Sequence, residues 1–508
     1  VLVLYASRTL AWVDLRMNAW FTGLTGITGW AASRLGASST TSSGRRDTTG
    51  RIGPLASNRF IKEYGARSLM LVFLVLLAML LAGVNEQVIR VLGDLPYRAA
   101  AFLPPYFEPF SCAAIPVIVL MAAYLALCLG ASGFINVNKF SLHGMYRLRL
   151  IRAYLGASNT ARNPHQFTGF DENDNIPMCA LTASKPLHVL NMTVNLVAGR
   201  NLAWQQRKAE PFTSTRLHTG SCRVGYRSSA LYGGRQNDRN PITLGTAITI
   251  SGAAASPNMG YHSSPLLTLV MTLFNARLGW WLGNPRKPEK IWRRPGPRWG
   301  ILPFMEEAFG LTTDENSWLY LSDGGHFENL GIYEMVLRRC SLIVVSDAGA
   351  DPGYVYEDLA NAVRKIRIDL GIPIEFDNPS MPMSPGRKPS KERTGHHCAI
   401  GRIHYGAVDP GAAPGTIVYI KASLNGNEPP DVQQYAATDA TFPHQSTTDQ
   451  FFDEAQFESY RRLGLHVIEE ICGNPRAGLD LDEFVTLAEQ YAAAPLTARA
   501  RVPATLAS

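Results

Sequence analysis

The sequence predicts a mixed α/β domain preceded by a transmembrane helical hairpin. Three observations carry this. Two long uncharged apolar stretches lie at 68–84 and 109–134. After about residue 139, short apolar runs of strand character alternate with amphipathic runs. The apolar fraction, 46%, with 18% charged residues, is that of a folded globular chain. With 508 residues the chain has room for two or three domains and a large core. The expected division is an N-terminal segment and Ser/Thr/Gly linker over 1–66, two membrane helices over 67–138, an α/β domain over 139–480, and a tail over 481–508.

In order along the chain, "GASSTTSSGRRDTTGRIG" lacks apolar periodicity and reads as linker. "SLMLVFLVLLAMLLAGV" and "PFSCAAIPVIVLMAAYLALCLGASGF" carry no charge, and a spanning helix needs about 20 apolar residues. Arg45, Arg46, Arg51, Arg59, Lys62 and Arg67 precede the first, and Lys139, Arg147, Arg149 and Arg152 follow the second. The excess of basic residues outside the hairpin predicts both ends, and the α/β domain, on the cytoplasmic side.

Within the domain, "ALTASKPLHVLNMTVNLVAG" and "ITLGTAITISGAAAS" read as strands. "SSPLLTLVMTLFNARLGWWLG" begins with good N-cap and first-turn residues and reads as a helix. "SWLYLSD" reads as a strand, "FENLGIYEMVLRR" as a helix and "SLIVVSDA" as a strand. "FDNPSMPMSPGRKPSKERTG" reads as an exposed loop and "TDQFFDEAQFESYRRLGLHVIEEICG" as a late helix.

The net charge of +7 is a mild excess with no clustered Lys/Arg field, so no nucleic-acid partner is expected. The seven cysteines form no C-x-x-C pattern and read as reduced thiols. The chain begins with Val1, which suggests a piece of a longer reading frame.

The chemistry concentrates in "LYLSDGGHFENLGIYEMVLRRCSLIVVSDAGADP", 319–352. A strand ending on Asp323 and followed by Gly324 and Gly325 sets a carboxylate at a turn where glycines permit positive φ and close approach. Such a carboxylate can take a proton from a serine hydroxyl. A plain Asp-Gly turn is the bland alternative.

This region resembles the Asp-Gly-Gly segment of patatin-like phospholipases. The similarity is to large bacterial members with membrane segments, related to the cytosolic phospholipases. "NKFSLHGMYRLRLIRAYLG", "PLHVLNMTVNLV", "ISGAAASPNMGYHSSP", "FNARLGWWLGNP" and "DEAQFESYRRLG" resemble further blocks of that family, in order, across 138–473. The resemblance implies a three-layer α/β/α fold and a Ser-Asp dyad that hydrolyses lipid acyl esters. Asp323 would be the general base, Gly324 and Gly325 would line the substrate site, and no metal or cofactor is implied. The partners implied are a membrane phospholipid or other lipid ester and the bilayer itself, with the acyl chain along Leu266–Phe274.

The pattern departs from that family at the nucleophile. A G-x-S-x-G elbow is absent, since the G-x-x-x-G pentapeptides centre on Trp281, Arg298, Asp351 and Ala413. No triple glycine offers an oxyanion loop. Ser42 and Ser384 have Gly two residues on but lie in polar loops; Ser322 has it too but neighbours Asp323 on a strand, facing the other way. Ser251, in "TAITISGAAASP", has the strand–serine–turn shape of an elbow and is the internal candidate nucleophile; the resemblance places it instead in a segment lining the acyl site. The expectation is that the nucleophile lies upstream of Val1. The alternative is a membrane-tethered relative that binds without chemistry.

Other groups read as structural before functional. Asp171, Glu172 and Asp174 of "FDENDN" lack the spacing of a calcium loop. His396, His397 and Cys398 are adjacent with no second ligand pair. His326 follows the glycines, and Trp280 and Trp281 suit either core or a lipid interface.

Overall fold

The computed structural model describes residues 75–85, 87, 108–182, 186–199, 206–234, 241–260, 263–376, 395–446, 452–473 and 478–494. They fall into two compact units dividing between Asp323 and Gly324.

The first unit opens with a helix over 75–85 and helix α1, Glu108–Phe134. Tyr124 of α1 donates a hydrogen bond to the side chain of Asn85. Among the described residues no helix is long and apolar enough to cross a membrane. Most of the first expected span lies outside the described residues. The side chains of α1 are described from Ile118 onward, a stretch short of the roughly 20 residues a span requires. The transmembrane hairpin is therefore unsupported, although Ile118, Met121, Leu125 and Leu127 of α1 are all exposed.

A six-stranded antiparallel sheet organises this unit. Its strands are β1 (Val189–Asn195), β2 (Ala209–Thr215), β3 (His218–Ser221), β4 (Gly225–Ser228), β5 (Trp280–Gly283) and β6 (Trp318–Asp323), in the order β4-β3-β2-β1-β6-β5. β6 thus sits inside the sheet, with Asp323 opposite Met192 of β1. The expected strands around 189–195 and 318–323 form.

The expected strand around Ser251 does not; it is helix α3, Leu244–Ser251. Its β-branched run favours a strand locally, but tertiary burial overrides that preference. Thr243 caps the helix by accepting from the Thr246 amide, and the Thr249 hydroxyl returns to the Gly245 carbonyl at 2.6 Å. Leu244, Ala247 and Ile250 pack with Met192, Val194, Leu319 and Leu321 of the sheet, each burial contributing about 1.5–3 kcal/mol for the larger side chains. Gly245 has no Cβ because one would collide with Ile151 and Asn175 at 2.6 Å.

Helix α2, Leu142–Leu150, packs on α3. Helix α4, Pro265–Leu273, forms as expected with Pro in its first turn, while the "WWLG" that follows in the same run is strand β5. Helix α5, Ile301–Ala308, packs on α4. Beneath them Arg277 and Glu307 form a buried ion pair, and the Trp281 indole donates to Glu307 at 3.0 Å. Trp281 is wholly buried, so it belongs to the core and not to a lipid interface.

The second unit holds β7 (Leu342–Asp347), β8 (Ile374–Phe376), β9 (Cys398–Ile403) and β10 (Gly415–Lys421), ordered β7-β10-β9-β8. β7 and β10 run parallel; the other pairs are antiparallel. The helix expected at 327–339 is shortened to α6, Ile332–Leu337, and α7 spans Glu357–Leu370. Helix α8 spans Pro430–Thr438, the expected late helix is α9, Glu454–Cys472, and α10, Leu481–Ala493, occupies part of what reads as tail. The Pro/Ser/Lys loop lies almost entirely outside the described residues. The mixed α/β class is realised as two sheets, one in each unit.

Candidate active site

Asp323 ends a strand buried on both faces and is itself half-buried. Its amide faces the Ala253 carbonyl at 3.4 Å, which sets it beside the turn after α3. Ser251 is the last residue of α3, half-buried, and Gly252 and Ala253 lead away from it. A nucleophile elbow needs a serine on a sharp strand-to-helix turn. Ser251 ends a helix, so the elbow reading is corrected, although the residue does lie in the segment that meets Asp323.

Gly324 and Gly325 also differ from expectation. With His326 they form one turn of 3-10 helix, in the right-handed region rather than at positive φ. The Gly324 carbonyl accepts from the amides of Phe327 and Glu328 at 3.1 and 3.0 Å. Ser322, one residue before Asp323, is fully buried on the opposite side of the strand and accepts from Asn195 at 2.8 Å.

Helix α2 supplies side chains that sequence reasoning missed. His143, Tyr146 and Arg147 fall at i, i+3 and i+4, a spacing that puts them on one helix face. The Tyr146 hydroxyl lies against Gly252, where an added Cβ would stand 2.7 Å from it. It makes no hydrogen bond to the described residues. Burial first, then the negative charge of Asp323, raises its pKa, so it is a protonated donor at neutral pH.

Arg147 reaches α3 and donates to the Thr246 hydroxyl at 3.3 Å. Its Nε is buried without a partner. His143 is wholly buried; its Nδ1 lies 2.6 Å from the Leu278 carbonyl and its ring rests 4.3 Å from that of Trp280. Burial pushes its pKa down to about 3, with the backbone bond opposing. The ring is therefore neutral, with Nδ1 the donor and Nε2 left without a partner.

The remaining candidates are structural. Asp171 accepts from the amides of Asn163 and Asn173 at 2.6 and 2.9 Å, which lowers its pKa. Asp174 pairs with Arg162 at 2.9 Å, and Glu172 opens the short turn between these two aspartates. His397 is buried between Ser423 at 2.7 Å and Asn425 at 2.9 Å, while Cys398 is buried in the core of the second unit. Among the described residues no group of three or more His, Cys, Asp or Glu is arranged to hold a metal.

The geometry thus gathers one carboxylate, one unengaged phenol and one half-buried guanidinium around the two ends of α3. That set can accept a proton, donate to a developing oxyanion and hold an anion. No protein-family model matches the chain, and no curated protein matches it.

Proposed function

We propose that this chain carries the base half of a lipid acyl ester hydrolase, with Asp323 as the general base. Its serine would be supplied from outside these 508 residues, because no elbow serine or oxyanion glycine run occurs among them. The observation that carries the reading is the placement of Asp323: half-buried at the tip of an interior strand, beside the turn after α3 and the unengaged Tyr146 hydroxyl. The ordered resemblance to patatin-like phospholipases over 138–473 supports it independently.

The expected substrate is a membrane phospholipid or another lipid ester, met at the cytoplasmic face of a membrane. Leu269, Leu273 and Phe274 at α4 and Leu302 and Phe309 at α5 are exposed on two helices that pack together. An apolar surface of this kind fits an acyl chain or a lipid face.

The helical setting of Ser251 favours a second reading, a relative that binds lipid without cleaving it. A fluorophosphonate probe applied to the product of the native gene separates the two. Labelling of an elbow serine upstream of Val1 supports the hydrolase. Absence of labelling in the folded protein supports the binding protein, and labelling at Ser251 would mean that the dyad is rebuilt within this chain.

A further inference from the structure

We propose that Arg147 and the Thr246 hydroxyl form a binding site for a phosphate group at the first turn of α3. Among the described residues, the two Lys/Arg side chains that are buried outright each have a carboxylate: Arg277 pairs with Glu307, and Lys421 with Asp347 at 3.0 Å. Arg147 is half-buried and has none among the described residues. Withdrawing a cation from water without a counter-charge is costly, and an incoming anion offsets that cost.

Arg147 gives one N–H to Thr246, and its other terminal N–H groups meet no partner among the described residues. Thr246 Oγ1 accepts from both Arg147 and Thr243, at 3.3 and 2.9 Å, which leaves its own hydrogen to donate. The amides of this turn are already engaged: Gly245 donates to Asn175 and Thr246 to Thr243. Recognition would therefore rest on side chains, aided by the positive end of the helix dipole. The planar guanidinium matches a tetrahedral oxyanion through paired N–H groups, and phosphate offers more acceptors than a carboxylate.

Thr246 and Gly252 are six residues apart on α3 and the turn after it, roughly 9 Å at helical rise. The phosphate position is thus separated from the Tyr146 hydroxyl by about the reach of one lipid headgroup. Use as a headgroup subsite rests on the hydrolase reading; the anion site itself does not.

The test is calorimetric titration of the full chain with inorganic phosphate and, separately, with monomeric dihexanoylphosphatidate. Arg147→Gln should weaken binding at least about tenfold, whereas Arg149→Gln, an exposed neighbour on α2, should not. Loss for both probes supports the shared phosphate chemistry. Loss for the lipid alone identifies a headgroup, and loss for inorganic phosphate alone a free-phosphate site. Should Arg147→Gln fold poorly, Thr246→Val keeps the charge and should still weaken binding several-fold.

The proposal is overturned if folded Arg147→Gln binds both probes like the parent, if the parent binds neither, or if acetate binds as tightly as phosphate. Asp323→Asn should retain phosphate binding in every case, so failure of the hydrolase reading leaves this result standing.

Discussion

Strands β6 and β7 both end on a serine followed by an aspartate, Ser322–Asp323 and Ser346–Asp347, with glycine close behind. Their carboxylates are used differently. β7 alternates buried and exposed side chains, and Asp347 falls on the buried phase with Ile343 and Val345. There it is encircled: Lys421 pairs with it at 3.0 Å, the Tyr419 hydroxyl donates to it, and the Gly349 amide donates at 2.8 Å. β6 is buried on both faces, and Asp323 emerges at its half-exposed tip. Near it, the Tyr146 hydroxyl makes no hydrogen bond to the described residues. On the proposed reading, the same strand–Ser–Asp signal gives a structural carboxylate at Asp347 and the general base at Asp323. The neighbours decide, not the motif.

The largest difference should appear in stability. Lys421→Met leaves Asp347 buried and unpaired and should cost about 3–5 kcal/mol, read as a lower urea midpoint. Asp323→Asn should cost no more than about 1 kcal/mol in the same assay. Equal costs would erase the contrast between the two carboxylates.

Acid should strike both regions. Burial lowers His143 to about 3 and His444 to about 4, the latter also through the charge of Lys421. Each ring is neutral when folded yet protonates near its ordinary value of 6.5 when unfolded. The unfolded chain then binds more protons, and stability falls as pH drops from 6.5 toward 4, by about 1.4 kcal/mol per pH unit for each group. Urea midpoints at pH 7, 6, 5 and 4 measure the slope, and His444→Asn should flatten it.

The two tyrosines sharpen the comparison. Tyr419→Phe removes a donor from a buried carboxylate and should lower stability by about 1–3 kcal/mol. Tyr146→Phe should leave stability nearly unchanged but, on the proposed hydrolase reading, reduce ester turnover by the native gene product about ten- to a hundredfold. A stability loss for Tyr146→Phe like that of Tyr419→Phe would make both hydroxyls structural. Smallest is Thr243→Ala, which uncaps α3 and should cost about 1 kcal/mol in thermal or urea unfolding.

Much of this was legible in the sequence, for particular reasons. β6 and β7 are short apolar runs bounded by turn residues, and α9 is long, amphipathic and capped by Asp453. The strand end at Asp323 was legible because an apolar run, the Asp and two glycines are contiguous. The hairpin arms β2 and β3 were not, because their buried faces are hydroxylic. Ser214, Thr219 and Ser229 are linked by hydrogen bonds of 2.8 Å, and hydrophobic periodicity registers nothing there.

α3 was misread because Ile and Thr favour strands locally, whereas the sheet buries them as a helix. The α2 residues were hidden differently. Arg147 was counted with Arg149 and Arg152 as a flanking charge, yet its spacing from His143 and Tyr146 marked a common face. Nothing short of packing could show that this face meets α3 beside Asp323.

On the proposed reading Asp323, and not Asp347, takes the proton in ester hydrolysis. The most direct measurement is ester hydrolysis by the complete native gene product carrying Asp323→Asn, with urea unfolding run in parallel. A general base at Asp323 requires a loss of at least about a thousandfold in kcat with the fold intact. Hydrolysis at the parent rate in a folded Asp323→Asn protein would contradict it.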